Sequence, residues 1–145
     1  MPADYHGVDA GSRTRFRDGW FYPGDRGRMT PEGRLHIEGR IDHIINAGGR
    51  KVSPEYLEAI LMEFAGVREA AAFAVEDGGE TRLGVAIIPG GDLDWAALRA
   101  YALARLDLLA PVRYVEVASL PRNAMGKLDR KMVSETNFQE AKIRL

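Results

Sequence analysis

Ser53-Pro54-Glu55-Tyr56-Leu57-Glu58-Ala59-Ile60-Leu61-Met62-Glu63-Phe64-Ala65-Gly66, with the apolar runs Ala70–Val75 and Leu83–Ile88 that follow it, decides the fold. Serine is a natural helix cap, and proline suits the first helical position, where its missing N–H leaves nothing unpaired. Leu57, Ile60, Leu61 and Phe64 recur at i, i+3, i+4 and i+7, which makes one helix face apolar, and Gly66 ends the pattern. The two apolar runs read as strands. Glu76-Asp77-Gly78-Gly79-Glu80 between them is a hairpin signal.

Downstream, a second helix begins near Asp94 and carries Trp95, Leu98, Ala102 and Leu106 on one side, with Pro111 barring its continuation. Val112–Val117 is a further strand, and residues 133–145 read as a polar tail. Upstream, Trp20–Ile37 reads as a β-hairpin turning at Thr30-Pro31-Glu32-Gly33. Ile44-Ile45 then leads into Gly48-Gly49, a kink in the backbone. Residues 1–18, rich in Gly, Arg, Asp and Ser and without a period, read as a loose lead-in. The order predicts an α+β fold, a small domain with helices packed on a short, mostly antiparallel sheet and preceded by a β-hairpin.

Composition narrows the function. One domain fits 145 residues, of which 46% are hydrophobic. A formal charge of −1 gives no reason to expect nucleic-acid binding. Charge is uneven, however: net +2 over residues 1–51, −6 over 52–120 and +3 over 121–145. The positive ends suit a phosphate-bearing ligand as well as a solvated surface. Cysteine is absent, so any thioester chemistry must draw its sulfur from another molecule. No apolar run approaches the roughly 20 residues of a membrane helix, and the expectation is a cytoplasmic protein with no membrane span.

Three clusters carry chemical potential. Phe21-Tyr22-Pro23-Gly24-Asp25 puts a carboxylate after an aromatic run, where it can accept from hydroxyls or serve as an ordinary turn aspartate. Gly39-Arg40-Ile41-Asp42 offers a five-donor guanidinium and an acid between the hairpin and the remainder of the chain. Pro121-Arg122-Asn123-Ala124-Met125-Gly126-Lys127-Leu128-Asp129-Arg130 presents a lysine directly after glycine. Taken singly, each is equally well a surface turn.

Together and in this order, they resemble the C-terminal part of the AMP-forming acyl-CoA synthetases, luciferases and peptide-synthetase adenylation domains. Residues 21–25 look like the family's Tyr-x-Thr-Gly-Asp segment. Gly39–Asp42 with Gly48-Gly49 and Val52–Glu55 looks like its hinge and glycine loop. Pro121–Arg130 looks like its Pro-x4-Gly-Lys-x2-Arg ending. The resemblance implies that residues 1–38 correspond to the end of a large N-terminal domain, 39–43 to a hinge and 44–132 to a mobile lid. It implies Asp25 and Arg40 as nucleotide-binding, Asp42 as the hinge, Gly48 and Gly49 as the lining of a CoA or carrier-pantetheine passage, and Lys127 as catalytic. No residue is implied as a metal ligand. ATP with Mg²⁺ and CoA, or carrier pantetheine, would be held mainly by the large domain, supplied in cis or in trans. The other implied partners are a carboxylic acid substrate and an acyl carrier protein as alternative thiol donor.

Two departures stand out. Pro23 replaces the usual threonine, and Asn46 stands where many members carry lysine. The sequence also holds no Ser/Thr/Gly-rich phosphate loop, so the expectation is a lid inactive by itself. The alternative is a non-catalytic domain that binds a carrier, pantetheine or nucleotide, or that self-associates through the exposed hairpin.

Overall fold

The computed structural model describes residues 16–106, 112–136 and 142–144. Most of the expected lead-in (residues 1–15) and the helix-barring Pro111 lie outside the described residues. The chain divides into two compact units, Met1–Asp42 and His43–Leu145.

In the first unit, β1 (Phe16–Arg17) pairs with β2 (Trp20–Phe21), and β3 (Asp25–Met29) pairs with β4 (Leu35–Arg40), both antiparallel. The hairpin expected over Trp20–Ile37 is therefore displaced to Asp25–Arg40. Asp18 and Gly19, both at positive φ, turn the chain back at once, so Trp20 and Phe21 pair with residues before them. The turn itself is where the sequence puts it: Gly33 donates to the Thr30 carbonyl at 2.9 Å, and Thr30 donates to that of Arg34 at 2.8 Å.

The second unit begins with β5 (Ile45–Ala47) and β6 (Arg50–Val52), an antiparallel hairpin turning at Gly48-Gly49. Helix α1 (Pro54–Met62) follows, capped by the Ser53 hydroxyl, which accepts from the Tyr56 amide. It stops at Met62, short of the Gly66 end expected, although Phe64 still packs on the core from the following turn. Strands β7 (Val67–Asp77) and β8 (Glu80–Pro89) form the long hairpin, and α2 (Trp95–Leu106) starts under the Asp94 carboxylate, which accepts from Ala96 and Ala97 at 3.0 Å. β9 (Val112–Glu116), α3 (Arg130–Glu135) and β10 (Lys142–Arg144) complete the unit.

The main sheet runs β10-β9-β8-β7, with β8 and β9 parallel and the other pairs antiparallel. Both faces are covered, which explains why β7 and β8 read as continuous apolar runs rather than alternating ones. One face packs Leu57 and Leu61 of α1 and Leu98 of α2 against Leu83, Val85 and Ile87. The other buries Ala71, Phe73, Ala86 and Ile88 with Val115, Leu120 and Val133. Gly84 sits mid-strand for a packing reason: a Cβ there would lie 2.6 Å from the Phe73 ring of the facing strand. The expectation of a polar tail from residue 133 is corrected. Val133 is 1% exposed under the second face, and Lys142–Arg144 adds an edge strand to the sheet.

Candidate functional site

Asp25 and Arg40 are paired across β3 and β4, which brings them within reach of each other. The Arg40 guanidinium donates to both Asp42 oxygens (2.8 and 2.9 Å), to the Pro23 carbonyl (3.2 Å) and, at 3.5 Å, to Asp25. Arg40 is thus the hub of this cluster, and the two-toothed grip on Asp42 is its strongest link. The Ile41 amide also donates to the Gly24 carbonyl at 2.8 Å, so the Pro23-Gly24 turn and the linker are locked together. Pro23 in place of threonine still participates, since its carbonyl oxygen accepts from Arg40. The Asp25 side chain keeps 36% of its surface open.

Within the second unit, Gly48 and Gly49 hold φ of +57° and +82°, the left-handed pair that a two-residue hairpin turn demands. Nothing lies within 4 Å of where a Cβ would sit on either, so both present bare backbone to solvent. The Gly48 amide donates to the Thr81 carbonyl at 3.3 Å. Asn46 is exposed on β5.

Lys127 lies on a compact loop rather than a loose one. The Arg122–Leu128 bridge closes its base, and Gly126 at φ +76° turns its tip. The Lys127 side chain is exposed, and no carboxylate among the described residues lies within ion-pair distance of it. The loop is anchored on both flanks. Arg122 pairs with Glu69 of β7 and donates to the Gly126 carbonyl at 2.9 Å.

Arg130, which the sequence presents as a second cation beside Lys127, is turned inward instead. Its guanidinium donates to both Glu58 oxygens at 2.7 and 2.8 Å and lies 3.3 Å from Glu55. Glu58 is only 6% exposed and also accepts from the Ala72 amide at 2.8 Å. β7 is the edge of its sheet, so that amide faces α1 with no strand to receive it. Glu55 in turn bonds His43, the residue after Asp42. Burial pushes the Glu55 carboxyl upward, but bonds from His43 and backbone, with the nearby Arg130 charge, outweigh it and hold the group below its usual range. Burial likewise works against the Arg130 charge, and Glu58 and Glu55 more than offset it, leaving its pKa raised.

The structure therefore gathers Asp25, Arg40 and Asp42 in one cluster. It places Gly48-Gly49 and Lys127 on two separate loops of the other unit. The residues that sequence reasoning missed are Glu58, Glu55, His43 and Asn123, which hold or shape these segments. Glu58 left one trace, an acid flanked by Leu57 and Ile60-Leu61 on the buried side of a helix.

The chain matches no family model. It is 36% identical over 138 residues to a salicylyl-CoA synthase / salicylate adenylyltransferase of Streptomyces, matching 90% of this chain and 25% of that protein. It is 34% identical over 129 residues to an oxalate–CoA ligase of Arabidopsis thaliana, matching 86% of this chain and 25% of the relative. The solved o-succinylbenzoate CoA synthetase of Bacillus subtilis, in complex with its acyl-adenylate intermediate, superposes with a TM-score of 0.79 at 26% identity, covering 92% of this chain and 28% of that one. The chain spans about a quarter of the length of these curated relatives. On motif order, sequence identity and fold, the chain belongs to the AMP-forming acyl-CoA synthetase and adenylation-domain superfamily, and it corresponds to the C-terminal domain of those proteins.

Proposed function

We propose that this chain acts as the mobile lid of an AMP-forming carboxylate–CoA ligase and delivers the Lys127 ammonium to the adenylation centre of a large N-terminal domain. The observation that carries the reading is an exposed lysine on a short closed loop anchored on both flanks by arginine–glutamate pairs. Carboxylate attack on the α-phosphate brings two anions together. At 4 Å and an effective dielectric near 20, one like-charge pair costs on the order of 4 kcal/mol. An ammonium on a loop that needs no reorganisation recovers much of that.

Asp25 supplies exposed carboxylate oxygens for ribose hydroxyls, and Arg40 shapes that edge through Pro23 and Asp42. Asp42 would be the pivot: releasing its bidentate bond to Arg40 frees the linker dihedrals for rotation of the lid between half-reactions. The bare Gly48-Gly49 turn would then line the passage for a pantetheine thiol of CoA or of a carrier protein, because glycine backbone admits a slender ligand closely. ATP, Mg²⁺ and the carboxylic acid fall to the large domain.

The test is adenylate formation, followed by pyrophosphate exchange, with the large domain supplied in trans or by fusion. The chain alone is expected to be silent and the reconstituted pair active. Lys127→Ala is expected to slow adenylation by roughly 10²–10³-fold. A normal adenylation rate from that variant refutes the assignment.

A second reading has its own observation. Trp20, Phe21, Met29, Leu35 and Ile37 of the first unit are all more than half exposed. An apolar surface of this kind seeks a partner, either the large domain or a second copy of the same hairpin.

A further inference from the structure

We infer that Asn123 is the positioning residue of the Lys127 loop, setting the direction of the lysine through the backbone at its base. This rests on the lid reading above and deepens it.

Both backbone polar groups of Lys127 are bound to this one residue. The Asn123 side-chain oxygen accepts from the Lys127 amide at 3.1 Å, and the Asn123 amide donates to the Lys127 carbonyl at 2.8 Å. The same side-chain oxygen accepts from Met125 at 3.0 Å, and the Asn123 carbonyl accepts from Gly126 at 2.9 Å. Two of these four bonds are made by the backbone and would survive substitution; the two on the Met125 and Lys127 amides depend on the asparagine side chain.

The arginine anchors act differently. Arg122 fixes the outer side of the loop to β7, and Arg130 ties the start of α3 to α1. Arg122 holds the Gly126 carbonyl, in the peptide unit that precedes Lys127, but neither arginine bonds the Lys127 amide or carbonyl itself. Asn123 bonds both, and it is half-buried while the tip residues Ala124, Met125 and Gly126 are exposed. Asparagine is chemically suited to this, because its amide oxygen accepts two N–H groups at once and mimics a turn of backbone.

The consequence is catalytic preorganisation. A lysine side chain is long and rotamer-rich, and an ammonium at its end is placed only as well as the backbone beneath it. Freeing that backbone returns about one residue's worth of conformational entropy, which corresponds to roughly 10-fold in the rate of the step that uses the ammonium.

The test has two arms. In the first, amide exchange is followed at Met125 and Lys127 in the full chain. Asn123→Ala is expected to abolish protection at both with thermal stability nearly unchanged, and Asn123→Asp, which keeps the acceptor, to retain it. Unchanged protection in the alanine variant overturns the inference. In the second arm, adenylation is measured with the large domain present. Asn123→Ala is expected to lower kcat about 10-fold with little change in KM for ATP. Added to Lys127→Ala, it is expected to have no further effect, because it acts only through that lysine. An additive loss in the double variant marks a merely structural role and overturns the inference. If Lys127→Ala is slow while Asn123→Ala is normal, only this inference fails. If Lys127→Ala itself is normal, the lid reading fails and takes this one with it.

Discussion

Removing Glu58 is the most informative perturbation of the fold. Its side chain is 8% exposed, pairs with Arg130 through two bonds of 2.7 and 2.8 Å, and receives the edge-strand amide of Ala72 at 2.8 Å. Glu58→Ala leaves a half-buried guanidinium with only Glu55 beside it, and it orphans a strand amide. Breaking a buried pair costs about 3–5 kcal/mol, and an orphaned buried amide about 1–3. Arg130 remains 23% exposed and keeps Glu55 at 3.3 Å, so solvent and the second acid recover part of the first cost. We expect a net loss of about 3 kcal/mol for Glu58→Ala, a large share of the 5–15 kcal/mol that typically holds a domain together. Glu58→Gln keeps an acceptor for Ala72 but loses the charge and turns its NH2 toward one Arg130 donor, so about half that loss is expected. Urea unfolding with an unchanged slope is the assay. A loss under 1 kcal/mol for the alanine variant refutes the claim that this pair anchors α3, and with it the Lys127 loop, to the body of the domain.

Gly84→Ala is expected to destabilise by about 1–3 kcal/mol, because the new methyl meets the Phe73 ring at 2.6 Å; Phe73→Leu in the same chain should recover part of that loss in thermal unfolding. The Glu55 carboxyl is held below its ordinary value, so its contribution is present above the unfolded glutamate pKa and is lost as pH falls through the lowered one. Glu55→Gln should therefore flatten the acid side of a stability-against-pH curve, and an unchanged acid side refutes the pairing with His43 and Arg130. The exposed apolar residues of the first unit predict self-association of the isolated chain; sedimentation of a clean monomer at high micromolar concentration would count against it, and Ile37→Lys should weaken any association seen.

How much of this was legible beforehand depends on the range of the interaction. The Ser53-Pro54 cap, the i, i+3, i+4 face of α1, the Gly78-Gly79 hairpin and the Asp94 start of α2 are local signals, and each appears where the residues put it. The three motifs and their order were equally readable, because they are short and contiguous. The doubled glycine at 48–49 predicts a kink, whereas pairing of the residues on either side makes it a hairpin turn.

What the chain by itself determined, then, is the first helix, the long hairpin, the second helix and the strand after it, the family, and the presence of a lysine after a glycine on a turn. What only the tertiary structure decided is which charges are spent and which remain available. Arg130 is drawn inward by Glu58, 72 positions away; Arg40 is drawn onto Asp42; and Lys127 alone of the three is left facing out. The hydrophobic face of α1 brings Glu58 against β7, and an edge amide waiting there makes burial of that acid tolerable. Such a pairing depends on two segments meeting in space, and no periodicity along either of them records it.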